Sequence, residues 1–151
     1  MKTQRIFWKI FPGYLAVTLL ALVALSILSS TAISRFYRNQ TAESLKTQAL
    51  FAGEMVRASL ESDHWSDVKS INRIIGPKSD ARMTFSRPDG SVAEDYDRDA
   101  TRMGPNGDRP EIQAALKGDI GQKVRFSQTL KTTMIYVAVP VIQSNRVTGV
   151  V

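Results

Sequence analysis

YVAVPVIQSNRVTGVV, residues 136–151, decides how the chain is read. It is apolar from Tyr136 to Ile142, polar across Gln143–Arg146, and apolar again from Val147. Two strands joined by a tight polar turn give this pattern. The longer run, Met134 to Ile142, is apolar on both faces, as a strand at the centre of a sheet is. The run opening at Val147 begins another strand. A chain closing on Gly149-Val150-Val151 is expected to stop inside that strand, because finished domains usually end in polar, frayed residues. The final sheet is then incomplete.

Working back, Lys123 to Leu130 alternates, with Val124 and Phe126 on one face, and Lys131-Thr132 turns between it and the central run. DRPEIQAALKG, residues 108–118, reads as a short helix. Asp108 or its neighbour caps it, Pro110 suits the first turn and Glu111 faces the helix dipole. Ile112, Ala115 and Leu116 point inward, and Gly118 ends it. Before it lies a polar loop, Asp95 to Gly107. Residues 81–94 read as a β-hairpin: Met83 and Phe85 share a face, and Pro88-Asp89-Gly90 supplies the turn. Ser66 to Ile75 predicts a helix capped by Ser66, with Val68, Ile71 and Ile75 as its apolar face and Gly76-Pro77 as its stop.

The N-terminal part is of another kind. From Ile10 to Ile33 no residue is charged, and about 20 apolar residues span a bilayer as a helix. Lys2, Arg5 and Lys9 precede the run, which keeps the N-terminus in the cytoplasm. Aromatic residues at both edges, Phe7, Trp8 and Phe11, then Phe36 and Tyr37, suit the two lipid–water interfaces. A cleaved signal peptide is the alternative, with Ser30-Thr31-Ala32 as its site, but the run exceeds the usual apolar core of such peptides. A pilin leader is rejected, since no Glu follows Gly13 at the required distance. The expected organisation is a basic tail (1–9), a transmembrane helix (10–33), a membrane-proximal helix (34–62) and an extracytoplasmic domain (63–151). Residues 34–151 then lie outside a cell inner or plasma membrane. In the membrane-proximal helix, Leu45, Ala49, Ala52 and Val56 form a stripe of small and medium residues. The stripe suits a partner helix in a homodimer, or the helix's own sheet.

The net charge of +6 comes from 20 Lys and Arg against 14 Asp and Glu. Three of the basic residues sit in the N-terminal tail, and the rest mix with acids, so a nucleic-acid partner is not supported. With no cysteine and one histidine, His64, thiol chemistry and a His/Cys metal site within one chain are excluded. The alternation Asp95, Asp97, Asp99 lacks the Gly and Glu of a calcium loop and reads as a solvated loop. No Gly-rich phosphate loop is present, and no residue reads as catalytic. His64 reads as a surface loop residue. Arg82, Arg109 and Arg125 flank one predicted sheet face, where they can line a pocket for an anion. Surface arginines and a capping residue are the plainer reading, and the favoured one.

The order of elements is α+β: an antiparallel sheet with helices on one side, fed by a membrane helix. Several blocks give it a family likeness. They are Arg82-Met83-Thr84-Phe85 followed by Pro88-Asp89-Gly90-Ser91-Val92, then Arg109-Pro110-Glu111-Ile112 with Ala115-Leu116-Lys117-Gly118. Arg125-Phe126-Ser127-Gln128-Thr129-Leu130 and Met134-Ile135-Tyr136-Val137-Ala138-Val139-Pro140-Val141 complete them. Together they resemble the sensor region of PhoR/PnpS-type two-component sensor histidine kinases. Asp95-Tyr96 stands where that family often has Asp-Ser, and Asn106-Gly107 where it often has Asn-His. The resemblance implies a PAS-like (Cache/PDC-type) domain that senses a small-molecule or protein signal. It implies a dimeric helix that passes the signal to a cytoplasmic kinase, which uses ATP and Mg and acts on a response regulator. It also implies a second membrane helix beyond Val151. No cofactor is expected in the chain itself. Similar sensors serve chemoreceptors and diguanylate cyclases, and a stand-alone single-pass binding protein is the reading from another class.

Overall fold

The structure, a computed structural model, describes residues 2–61, 64–79, 81–127 and 131–151, with the backbone alone for 2–10 and for Glu61. The expected ends of the membrane-proximal helix at Ser62 and of the strand at Gln128-Thr129-Leu130 lie outside the described residues. The first helix, α1 (Lys2–Glu61), is followed by α2 (Trp65–Ile75) and a 3-10 turn at Gly76–Lys78. Next come β1 (Thr84–Ser86), β2 (Val92–Asp95), a 3-10 turn at Ala100–Arg102 and α3 (Pro110–Leu116). Four strands close the chain: β3 (Gly121–Ser127), β4 (Thr132–Ala138), β5 (Pro140–Gln143) and β6 (Arg146–Val150). The chain divides into two compact units, Met1–Asn39 and Gln40–Val151, and α1 includes residues of both.

In the first unit no side chain from Phe11 to Asn39 is buried. The two threonine hydroxyls of the apolar run bond within the helix. The Thr18 hydroxyl donates to the Tyr14 and Leu15 carbonyls at 3.1 and 2.9 Å, and the Thr31 hydroxyl donates to Leu28 at 2.9 Å. Such internal bonding is what a hydrocarbon environment demands. Among the described residues, α1 is the one helix long and apolar enough to cross a membrane, and it is a candidate span on those grounds.

The second unit is α+β and its strand pairs are antiparallel. Four strands form one sheet in the order β2-β1-β6-β5, and β3-β4 form a two-stranded sheet. Ala49, Ala52, Val56 and Leu60 of α1 are buried against Val68 of α2, Met83 and Phe85 beside β1, and Val139, Val141 and Val151. The stripe expected to meet either a partner helix or its own sheet is therefore the core-facing stripe of this unit. Ala49, Ala52 and Val56 are occupied there, while Leu45 is half-buried. In the second unit's part of that helix the exposed large hydrophobic residues are Leu50, Phe51 and Met55, on other faces.

Two expectations about the sheet are corrected. The single central strand Met134–Ile142 is divided at Val139. Its first half pairs with β3 and its second half with β6. Pro140 has no N–H to donate to a ladder, and the chain changes partners there. Val139 itself exchanges two backbone bonds of 2.9 Å with Val151. The helices also lie on both faces rather than one. Ala138, Val147 and Val150 pack with Ile112, Ala115 and Leu116 of α3, away from the α1–α2 face. A bulge that leaves Thr148 opposite the Val141–Ile142 step lets Val147 and Val150 share that second face.

Local turns follow their chemistry. Ser144 and Asn145 both have positive φ, 45° and 61°, the signature of the type I′ hairpin turn. Gly90 turns the β1–β2 hairpin at φ +80°, and a Cβ there would lie 2.6 Å from the Gly107 Cα, so both the backbone sign and the packing require glycine. The predicted cap of α2 differs. α2 begins at Trp65, so Ser66 lies inside its first turn, and the cap position falls to His64, whose side chain makes no capping bond. The cap position of α3 is Arg109, the neighbour of Asp108, and its side chain makes no capping bond.

Candidate functional site

A cleft of about 540 Å³ opens in the second unit, between α2 and the segment from β2 to Thr101. α2 presents Val68 to the core, and one turn later the same face carries Asn72, 1 % exposed. Helical spacing of four puts the two side chains on one stripe. Asn72 thus lies at the inner end of the cleft, where its Oδ1 has no hydrogen-bond partner. Lys69 and Arg73 flank it on the exposed side of α2.

The opposite wall is held by Asp95. Its side chain is fully buried and accepts from the Arg82 guanidinium at 2.9–3.0 Å, from the Thr84 hydroxyl, and from the Asp97 and Arg98 backbone N–H groups at 3.0 Å each. The loop after β2 is wound around this carboxylate, which carries Tyr96 and Arg98 to the rim of the cleft. The expectation of a solvated loop is therefore corrected at Asp95: its partners make it the anchor of that loop, while Asp97 and Asp99 remain more than half exposed. The three do not converge, and among the described residues no three His, Cys, Asp or Glu side chains are grouped to hold a metal.

Tyr96 reaches across to α2. Its ring packs against Gly76, at the end of α2, where an added Cβ would come within 2.2 Å of it. Arg87 sits 5.0 Å over the Trp65 ring and donates to the Val92 carbonyl at 3.4 Å, so its charge is already engaged. Asp99 accepts from the Thr101 N–H at 3.1 Å and from its hydroxyl at 2.7 Å; these bonds lower the Asp99 pKa. Arg73 and Arg98 have no ion-pair partner among the described residues, while the Lys69 charge acts on Asp99. Four basic side chains face two acidic ones, Glu94 and Asp99, so the cleft is electropositive.

The three arginines read as an anion pocket are divided by the fold. Arg82 is committed to Asp95 on the four-stranded sheet. Arg125, on β3, pairs with Glu111 at 3.1 Å and stacks 3.7 Å over the Tyr136 ring. Arg109 is half-buried within electrostatic reach of Arg125. Burial, and then the Arg125 charge, lower its pKa. Glu111, expected only to face the helix dipole, is the counter-ion of this second cluster. Sequence reading missed Asn72 and both buried carboxylates. The signal for Asn72 was present, as a polar residue interrupting the apolar stripe Val68–Ile71–Ile75. His64 is exposed, as expected.

No protein-family model matches the chain, and no curated protein matches it.

Proposed function

We propose that the chain is the membrane-anchored, signal-receiving region of a two-component sensor histidine kinase of the PhoR/PnpS type, with a PAS-like domain in residues 63–151. The observation that carries the reading is the double use of α1. The helix holding the apolar run Phe11–Ile33 also supplies Ala49, Ala52, Val56 and Leu60 to the core of an α+β unit that bears an electropositive cleft. Ligand-dependent repacking of that core then acts directly on the helix that enters the lipid. A signal shifts such a system only by its differential affinity for two states. The basic tail places the N-terminus in the cytoplasm and residues 34–151 outside. In the homodimer this implies, the Ala49–Val56 stripe belongs to each copy's own core, and the copies meet through another face of α1.

The test is to sequence the gene beyond the Val151 codon. The expected result is a frame with a second apolar run of about 20 residues, then a helix with a His-Glu phospho-acceptor motif and an ATP- and Mg-binding core that serves a response regulator. A chemoreceptor or cyclase domain in that frame would keep the sensor and replace the kinase. A stop codon would overturn the kinase reading and leave a tethered binding protein.

A further inference from the structure

We propose that the cleft between α2 and residues 92–102 binds a small polyhydroxylated organic anion, a sugar acid or a sugar phosphate. Three features define the ligand. The first is Asn72. Its side chain is buried, it lines the cavity, and its Oδ1 is unpartnered. Buried polar atoms in native folds are almost always hydrogen-bonded, so this one calls for a group delivered by a ligand. A hydroxyl, which donates and accepts, satisfies either orientation of the amide.

The second feature is charge. Arg73 and Arg98 stand at the rim without ion-pair partners, while Lys69 acts on Asp99 and Arg87 is held by Trp65 and the Val92 carbonyl. Free guanidinium groups match the planar geometry of carboxylate and the oxygens of phosphate. Cations at this density also repel a metal ion. The third is the wall. The Tyr96 ring bridges to α2 over the bare backbone of Gly76, giving an aromatic side against which a sugar-sized molecule packs. The volume of about 540 Å³ lies within the range of small-molecule sites. A simple inorganic anion would neutralise the rim and leave Asn72 unmet. A neutral sugar would satisfy Asn72 and leave the rim cations unpaired.

The test uses the full chain in detergent micelles, with calorimetric titration and thermal unfolding as readouts. The probes are gluconate and glucose 6-phosphate, with glucose, acetate and inorganic phosphate as comparisons. At least one acidic polyol is expected to bind and raise the unfolding temperature. Which of the two does so tells carboxylate from phosphate. Each comparison compound is expected to bind at least about tenfold more weakly. Arg98→Ala removes an exposed, unpaired side chain without disturbing the core, and is expected to weaken the acidic polyol by about tenfold. Asn72→Leu is expected to weaken glucose 6-phosphate or gluconate while leaving the weak binding of inorganic phosphate unchanged. Silence of both acidic polyols overturns the proposal, as does binding that Arg98→Ala and Arg73→Ala leave intact. The inference rests on the sensor reading only for the purpose of binding. A stop codon after Val151 would leave the titrations unaffected, and silent titrations would leave a sensor of some other signal.

Discussion

Asp95 and Glu111 are both carboxylates buried beside an arginine, yet they are satisfied differently. Asp95 uses both oxygens, accepting from Arg82, Thr84 and two backbone N–H groups of the following loop. Glu111 accepts from Arg125 at Oε1 alone, and its buried Oε2 has no partner. Removing a charge from water is costly, and the return depends on how many donors replace the lost hydration. By that measure the β1–β2 corner is firmly determined by one side chain. The α3–β3 corner is held by a compromise, with the second arginine, Arg109, adding repulsion beside Arg125. Burial of the carboxylate alone would have ranked the two corners as equals.

The comparison can be broken by a pair of near-isosteric changes. Asp95→Asn turns an acceptor for four groups into a half-donor and leaves Arg82 without its counter-charge. It is expected to lower unfolding stability by about 3 kcal/mol, read from thermal unfolding of the full chain followed by tryptophan fluorescence, since Trp65 borders the same region. Glu111→Gln removes a charge that only one oxygen used and keeps that oxygen's bond to Arg125, so its expected cost is only about 1 kcal/mol. Equal losses in the two variants would show that the donor count does not distinguish the corners. The smallest effect sharpens the picture of the loops beside Asp95. Asp89 and Asp99, both exposed, have pKa values lowered from 3.8 chiefly by bonds from Ser91 and Thr101. A carboxylate whose pKa is depressed in the folded state adds stability above its unfolded pKa and loses it as pH falls through the folded value. Below about pH 4 the amide resonances of Ser91 and Thr101 are therefore expected to shift toward unbonded values before the sheet unfolds. A global transition that precedes them would refute this.

Local chemistry made much of the fold legible. The hairpin of residues 81–94, the polar turn at Gln143–Arg146, α3 with Pro110 at its start, and the apolar stripe of α1 each follow from residues within a few positions of one another. What escaped was decided by partners far along the chain. Nothing within Met134–Ile142 states that β3 takes its first half and β6 its second, although Pro140 marks the place. The apolar pattern of α3 says that one face is buried, but not against which side of the sheet. Asp95 looks like any acid in DYDRD until the chain brings Arg82 to it across the hairpin. Of the cleft, the basic residues could be seen and their convergence on Asn72 could not.

The run Thr132–Gln143 serves two hairpins, β3–β4 and β5–β6, each closed over a short distance in sequence. Contacts of that kind form early, because little chain has to be gathered to make them. Ordering the shared segment in one hairpin also restricts it for the other. The pairing of Ser86 with Val150 spans most of the second unit and has to wait. Folding of this unit is thus expected to start at its C-terminal end and to finish when β1 is drawn against β6. During synthesis, α1, α2 and the β1–β2 hairpin emerge first and have no partner strand to join until β6 has left the ribosome.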